Sequence, residues 1–253
     1  MEAEQLLRIL RSEIGKLTLG EDEIAVAFSG GLDSSVVAAI ASGFVSVEAY
    51  TCAVSGSHDA RNAAGCAARE KLSFHLELIS DIDLVRLVGE AVRISSSQNP
   101  VKAAYTVPIV CVIERSRQKT ILTGSGADEL FGGYAKYVSA EEPGAMMAAD
   151  LEKIVVETSL LSEFALRRGK RLCSPFLSDA IVEFSRMIGP EQKISGADRK
   201  TVLRAASKML GLESYGTPKK AAQYSSGVLK RMQRLAKAEG LAMDEWVART
   251  TRS

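Results

Sequence analysis

Short apolar runs alternate with stretches of helical periodicity through the first half of the chain. The runs predict buried strands at residues 24–28, 46–54, 74–78 and 120–123. Helical spacing predicts helices at 34–41, 59–71, 82–94 and 101–118, with Asp59 as the cap of the second and a kink or restart at Pro108 in the last. This alternation is typical of an α/β fold, a parallel twisted sheet with helices on both faces.

Apolar residues at helical spacing also lie on either side of this alternating region. Leu6, Leu7, Leu10, Ile14 and Leu17 predict an amphipathic helix within residues 1–19. Beyond residue 140 the pattern changes to helices alone, predicted at 146–166, 177–188, 197–210 and 228–238. We therefore expect an N-terminal helix (1–19), an α/β core (20–140) and a helical C-terminal part packed on it (141–253).

Composition narrows the classes of function. The formal net charge of the 253 residues is +1, which argues against a nucleic-acid partner and against a membrane surface. The cysteines, Cys52, Cys66, Cys111 and Cys173, form no C-x-x-C pair, which favours reduced, mostly buried thiols over a structural metal site. The chain opens without a signal-peptide pattern and has no membrane-spanning apolar run, so the expected location is cytoplasmic.

The candidate chemistry begins in the loop between the first strand and its helix, which reads Phe-Ser-Gly-Gly-Leu-Asp-Ser-Ser over residues 28–35. Gly30 and Gly31 permit a tight turn and a close approach of the backbone to a ligand, so that the amides at the helix start can face an anion. Ser29, Ser34 and Ser35 add hydroxyl donors. This loop is predicted to bind phosphate groups.

Two common phosphate-binding loops have signatures that differ from this one. The ordinary P-loop needs a lysine and a longer glycine spacing, and the dinucleotide fingerprint needs G-x-G-x-x-G; residues 28–35 have neither. The carboxylate of this loop, Asp33, is suited to hold Mg²⁺ against phosphate oxygens. The remaining alternative is a strand-to-helix turn with a structural role alone.

A second glycine-rich loop, Gly124 to Tyr134, follows the fourth predicted strand and reads GSGADELFGGY. Because the carboxyl ends of parallel strands meet at one edge of a sheet, both loops are expected there. Asp128 would then join Asp33 as a second magnesium ligand. The alternative is an ordinary helix start, with Asp128 and Glu129 near the positive end of the helix dipole.

Paired lysines mark the C-terminal half. Lys219 and Lys220 precede a polar, glycine-containing stretch at 221–227. They could reach a polyphosphate, or they could belong to a solvated basic surface. The local pattern leaves both interpretations open.

The two loops, S-G-G-L-D-S-S and G-x-G-A-D-E-L-F-G-G-Y, closely resemble the synthetase domain of the glutamine-dependent asparagine synthetases, within the PP-loop ATP pyrophosphatases. The likeness covers roughly residues 20–235 and includes Ser174 to Leu177 and Gln223 to Gly227. It implies an enzyme of amino-acid biosynthesis, a ligase that splits ATP between its α and β phosphates. A carboxylate is adenylated, pyrophosphate leaves, and ammonia displaces AMP.

The resemblance also implies roles for particular residues. Pyrophosphate would be held by Ser29, Gly30, Gly31, Ser34 and Ser35. The nucleotide pocket would be lined by Cys52 to Val54 and by Thr123 and Gly124. Mg²⁺ would be bound by Asp33 and Asp128, and Lys220 or Lys219 would neutralise charge as pyrophosphate departs.

The chain departs from the family pattern in three ways. No glutaminase domain with an N-terminal cysteine is expected, so ammonia would be free or come from a separate glutaminase subunit. Ser125 stands at the position of the family's glutamate, which handles a proton in amide formation, and a hydroxyl is a poor base near neutral pH. The segment Arg171 to Ser174 lacks the family's glutamate and arginine, so aspartate does not follow as the acceptor.

The leading hypothesis is an ATP- and Mg²⁺-dependent ligase that forms AMP and pyrophosphate and acts on a small carboxylate, with aspartate as one candidate. One alternative keeps adenylation and changes the acceptor. Another is a regulatory protein that binds ATP or AMP without turnover. The sequence leaves open whether the chain forms a homo-oligomer.

Overall fold

A five-stranded sheet lies at the centre of the protein, as seen in a computed structural model that describes residues 1–213 and 225–251. The strands are β1 Glu23–Ala27, β2 Ser46–Ala53, β3 Ser73–Leu78, β4 Thr120–Leu122 and β5 Arg171–Cys173. All neighbours are parallel, in the order β3-β2-β1-β4-β5. The predicted α/β class is confirmed.

Helices make up most of the remaining described structure. The first six are α1 Glu2–Thr18, α2 Leu32–Ala41, α3 His58–Arg69, α4 Asp81–Ser95, α5 Pro100–Arg115 and α6 Ala127–Phe131. The others are α7 Pro143–Leu166, α8 Asp179–Arg186, α9 Pro190–Lys193, α10 Thr201–Met209, α11 Val228–Ala238 and α12 Met243–Thr250. A short antiparallel hairpin pairs β6 Ile194–Ser195 with β7 Asp198–Arg199.

The sheet separates two apolar cores, because successive side chains of a strand point to opposite faces. Ile24 and Val26 of β1 pack with α1, α2, α8 and α10, whereas Ala25 packs with α4, α5, α11 and α12. Burial on both faces explains why β1 and β4 are almost uniformly apolar. The predicted helix α1 is confirmed, with Leu6, Leu10 and Ile14 fully buried.

The strand order places a crevice at one edge of this sheet. The chain runs outward from β1 through β2 to β3, and then returns to place β4 on the other side of β1. Ligands of open α/β sheets bind where the strand order reverses, outside the carboxyl ends of the strands. The loops after β1 and β4 both begin at this point.

The C-terminal half contains strands that the local pattern did not predict. Strand β5 pairs with β4, so the sheet extends past the expected boundary at residue 140. Its three residues are too few to show a periodicity. The hairpin β6–β7 replaces the first turn of the helix predicted at 197–210, and α10 begins only at Thr201.

Local chemistry explains two smaller corrections. The cap of α3 is Ser57, whose side chain accepts a hydrogen bond from the Ala60 amide at 3.2 Å, whereas Asp59 lies within the first turn. Helix α5 runs continuously through Pro108 and ends at Arg115. Among the described residues, no helix has both the length and the apolar character needed to cross a membrane.

Lys193, at the end of α9, makes the stability depend on pH. It is buried, its Nζ donates to Ser185 Oγ at 3.1 Å, and burial lowers its pKa to about 8. The unfolded chain holds this proton up to about pH 10, so stability rises with pH between about 8 and 10.

We expect Lys193→Met to raise the free energy of unfolding at pH 7 by about 1–2 kcal/mol, allowing for solvent screening. Methionine keeps the apolar stem and removes the charge. Thermal melts from pH 7 to 10 test this, and an unchanged slope above pH 8 in the variant would contradict the assignment.

Candidate active site

A cavity of about 680 Å³ opens at the carboxyl ends of β1, β2 and β4. Both predicted loops line it. The predicted site residues that reach it are Ser29, Gly31, Asp33, Ser34, Cys52, Thr123, Gly124, Ser125 and Asp128. The fold therefore brings together two motifs that are nearly one hundred residues apart in the sequence.

The first loop is stabilised by its own hydroxyl groups. The Ser29 amide donates to Ser34 Oγ at 3.2 Å, the Gly31 amide donates to Ser29 Oγ at 3.3 Å, and Ser34 Oγ donates to the Gly31 carbonyl at 3.2 Å. Gly30 has φ +69°, and a Cβ at this position would lie 2.9 Å from the Cα of Ala63. Glycine is needed there by both conformation and space.

Several predicted residues do not line the cavity. Gly30 shapes the turn from behind, and Ser35 is fully buried with its Oγ 3.6 Å from Cys66 Sγ. The Val54 amide donates to the Ser226 carbonyl at 3.0 Å, and Val54 lines a separate, smaller groove. The candidate residues Lys219 and Lys220 lie outside the described residues.

Lys200 lies at the end of the cavity that the two glycine-rich loops form, a position that sequence reasoning missed. Its Nζ lies 2.6 and 2.7 Å from the two oxygens of Asp33 and 2.7 Å from Asp128 Oδ1. The residue is 4% exposed, and burial lowers its pKa while the charge of Asp33 opposes that shift. No local pattern distinguishes Lys200 from the other lysines, because its partners are far away in the sequence.

The backbone beside this cluster approaches too closely for any side chain. A Cβ on Gly124 would lie 2.8 Å from the Cβ of Asp33, and one on Gly133 would overlap Asp128 Oδ1 and Lys200 Cε. Two glycines of the second loop therefore make room for the charged cluster. This close approach explains why the second loop has glycine at positions 124 and 133.

We expect Gly133→Ala to displace Lys200 and Asp128 and to destabilise the fold by about 1–3 kcal/mol, the usual cost of overpacking. The rate of nucleotide-dependent pyrophosphate release should fall in Gly133→Ala even at temperatures where the variant is fully folded. A matched control is Gly65→Ala on α3, where a Cβ meets only Arg69 Nη1 at 3.5 Å. Equal losses in both variants, measured by thermal melts and pyrophosphate release, would contradict a specific role for Gly133.

A third carboxylate lies next to this cluster. Glu129 is 5% exposed, and Tyr134 donates its hydroxyl proton to Glu129 Oε1 at 2.7 Å. Burial raises the pKa of Glu129, and burial together with Glu129 raises the pKa of Tyr134. The hydrogen bond from Tyr134 and the charge of Lys200 oppose the rise in the pKa of Glu129.

The two aspartates fit a divalent cation. Their carboxylate oxygens converge on one point, and the ammonium group of Lys200 occupies that point in this structure. Carboxylate oxygens are the ligands that Mg²⁺ prefers, and Mg²⁺ usually binds through one or two of them plus phosphate oxygens and water. Within the described part of the chain, no group of three or more His, Cys, Asp or Glu residues is placed to hold a metal. The site therefore resembles a metal position that a nucleotide would complete.

The other end of the cavity lies between α5 and α7. Tyr105 of α5 donates to Glu157 of α7, with its hydroxyl 2.9 and 3.1 Å from the carboxylate oxygens, and Lys102 Nζ lies 3.0 Å from Glu157. Burial and the charge of Glu157 raise the pKa of Tyr105. Sequence reasoning missed this polar cluster, because single polar residues on amphipathic helices give no distinct signal.

Two of the positions that depart from the family pattern, Ser125 and Arg171, lie in different parts of the structure. The amide of Ser125 donates to Thr123 Oγ1 at 3.2 Å, and Ser125 lines the cavity between its two ends. The guanidinium of Arg171 turns away to the opposite edge of the sheet, where it donates to the Leu17 carbonyl at 2.9 Å and to Thr120 Oγ1 at 3.1 Å. Only Leu172 of strand β5 lines the cavity.

Known proteins match this arrangement. The chain is 28% identical to a protein of Methanocaldococcus jannaschii described as a glutamine-hydrolysing asparagine synthetase, over 94% of this chain and 52% of that protein. It is 31% identical to asparagine synthetase domain-containing protein 1 of Mus musculus, over 46% of this chain and 21% of that protein. The chain thus spans about half of the first relative's length and about a fifth of the second's.

Among solved structures, the NMN synthetase of Francisella tularensis is similar at a TM-score of 0.48 and 10% identity, over 99% of this chain and 93% of that chain. The family model for asparagine synthase matches residues 5–172, well over half of the chain. This match includes both glycine-rich loops and the aspartates that converge on Lys200. The chain belongs to the asparagine synthase family.

Proposed function

We propose that the protein is an ATP-dependent ligase that activates a carboxylate as its adenylate, with release of pyrophosphate, and passes the acyl group to ammonia. The main support is the convergence of Asp33, Asp128 and Lys200 beside the glycine-rich loop that follows β1, in the cavity at the carboxyl edge of the sheet. Family membership supports the use of ATP.

The end of the cavity formed by the two glycine-rich loops has the charges that adenylation needs. As the acceptor carboxylate attacks the α-phosphorus, the bond to the bridging oxygen breaks and negative charge develops on pyrophosphate. The ammonium of Lys200 lies at this end, and the hydroxyls of Ser29 and Ser34, which bond to each other in this structure, would turn to donate to that charge. Asp33 and Asp128 would hold Mg²⁺, which supplies further neutralisation of the phosphate oxygens when bound.

The walls of the cavity include both loops, α5 and α7, and they would shield part of an acyl-adenylate from water. Ammonia is the proposed second substrate, supplied free or by a separate glutaminase subunit. Ser125 gives no base for the amide-forming step near neutral pH.

The test is product analysis with Mg-ATP, ammonium and a panel of carboxylates. We expect AMP and pyrophosphate in equal amounts, with formation that depends on the carboxylate. ADP and phosphate as the only products would overturn the proposal. Tight Mg-ATP binding without pyrophosphate release for any acceptor would favour a nucleotide-binding regulatory protein instead.

A further inference from the structure

We propose that Glu157 accepts the proton released when ammonia attacks the acyl-adenylate, and that Tyr105 positions its carboxylate. This role rests on the proposed function and concerns its second step. Ser125 stands where the family carries a glutamate, and its hydroxyl is a poor base near neutral pH. Another group on the same cavity therefore has to receive the proton.

The amide-forming step consumes one ammonia and releases AMP. The lone pair of the nitrogen forms the C–N bond at the acyl carbon, and the tetrahedral adduct carries a positively charged nitrogen. A base takes one proton from this nitrogen. The C–O bond to AMP then breaks, and its electron pair leaves on the phosphate oxygen. A positioned base typically accelerates such a step on the order of 10²–10⁴-fold.

The cavity offers several carboxylates, and most of them are engaged elsewhere. Those that line it among the described residues are Asp33, Asp59, Asp128, Glu129, Asp150 and Glu157. Asp33 and Asp128 hold the ammonium of Lys200. Glu129 is 5% exposed and accepts the hydroxyl proton of Tyr134, and Asp150 is held by a tyrosine and two lysines. Glu157 keeps 22% of its side chain exposed, twice the 11% of Asp150.

Glu157 lies on the same side of β1 as Ser125. Its helix, α7, is joined to β5 by Ser162, whose Oγ donates to the Leu172 carbonyl at 3.2 Å. Strand β5 pairs with β4, and the loop that contains Ser125 follows β4. Asp59 and the neighbouring His58 follow β2, on the other side of β1. The strand order therefore favours Glu157 over His58 and Asp59 as the base.

The contacts of Glu157 leave one of its oxygens able to accept a proton. Oε1 lies 2.9 Å from the Tyr105 hydroxyl and 3.0 Å from Lys102 Nζ. Among the described residues, Oε2 is contacted only by the Tyr105 hydroxyl, at 3.1 Å. A carboxylate oxygen has two lone pairs, so Oε2 has room for a further donor.

Tyr105 acts as the donor of this pair and not as the base. Burial and the charge of Glu157 raise its pKa, so the phenol keeps its proton near neutral pH. The charge of Glu129 contributes to the same shift, which places the pair within electrostatic range of the second glycine-rich loop. Tyr105 is therefore a positioning residue for the carboxylate of Glu157.

The first experiment separates the two steps of the reaction in Glu157→Gln. Exchange of labelled pyrophosphate into ATP, with a carboxylate and without ammonia, reports adenylation and should change little. Amide formation with ammonium should fall on the order of 10²-fold. The carboxylate used is the best acceptor of the unmodified protein among acetate, butyrate, aspartate and glutamate. Equal losses in both assays, or undiminished amide formation, would overturn the role of Glu157.

A second nucleophile tests whether the loss concerns a proton. Hydroxylamine is a weaker base than ammonia, so its adduct loses a proton more readily and depends less on a general base. The defect of Glu157→Gln should therefore be smaller with hydroxylamine, on the order of tenfold or less. Equal defects with the two nucleophiles would indicate a structural loss and contradict the proposed role.

Matched variants complete the test. Glu163→Gln, at an exposed position of α7 outside the cavity, should leave both assays unchanged. Tyr105→Phe keeps the base and should lower amide formation alone, and the double variant should be no worse than Glu157→Gln. Tyr105→Phe also carries the test if circular dichroism shows that Glu157→Gln does not fold. If the unmodified protein exchanges no pyrophosphate with any of these carboxylates, the proposed function itself fails, and the role of Glu157 fails with it.

Discussion

Replacing Asp33 by asparagine should lower pyrophosphate release on the order of 10²–10³-fold, the usual effect of removing one preorganised charged group from a reacting centre. Asp33 holds Lys200 through both carboxylate oxygens and forms half of the proposed metal position. Asparagine has nearly the same shape and offers one neutral oxygen. Asp128→Asn should have a similar effect, because Asp128 makes the other contact to Lys200.

The control for these variants is Asp22→Asn, an exposed position just before β1, at the opposite edge of the sheet. Circular dichroism should be unchanged in all three proteins, and dependence on Mg²⁺ concentration should change only in the Asp33 and Asp128 variants. Full activity in either site variant would show that the two carboxylates are not the metal position. Loss of the fold in Asp33→Asn would instead identify the loop as structural.

Replacing Lys200 by methionine should destabilise the protein by about 3–5 kcal/mol, the typical cost of removing one partner from a buried ion pair. For a chain of this length that corresponds to about 6–10 °C in melting temperature. Because methionine keeps the apolar stem of lysine, the loss of stability reports the contribution of the ammonium charge. Asp33 and Asp128 would then face each other without the cation that lies between them.

Added Mg²⁺ should restore part of this stability, because a ligand that binds only the folded state stabilises it by mass action. We expect the melting temperature of the Lys200 variant to rise more with Mg²⁺ than that of the unmodified protein. Lys208→Met, at an exposed position on α10, the helix that Lys200 precedes, is the control and should change little. A Lys200 variant as stable as this control would contradict the role of the buried ammonium.

The order of strands and helices through residue 123 was predictable because each element carries its own period. Strands buried on both faces are uniformly apolar, and helices covering them repeat every three to four residues. Strand β5 and the hairpin at 194–199 were missed, since two or three residues carry no period. The predicted first residue of a helix was wrong where a different side chain forms the cap, as Ser57 does for α3.

Local sequence was enough to specify the two glycine-rich loops and the edge of the sheet where they meet. These features depend on neighbouring residues and on the direction of parallel strands, which local pattern encodes. Folding in three dimensions is what joins Lys200 to Asp33 and Asp128, turns Ser35 towards Cys66, and brings the side chains of α5 and α7 together around the far end of the cavity. Those contacts join residues far apart in the chain, so their energies depend on packing that no local pattern records.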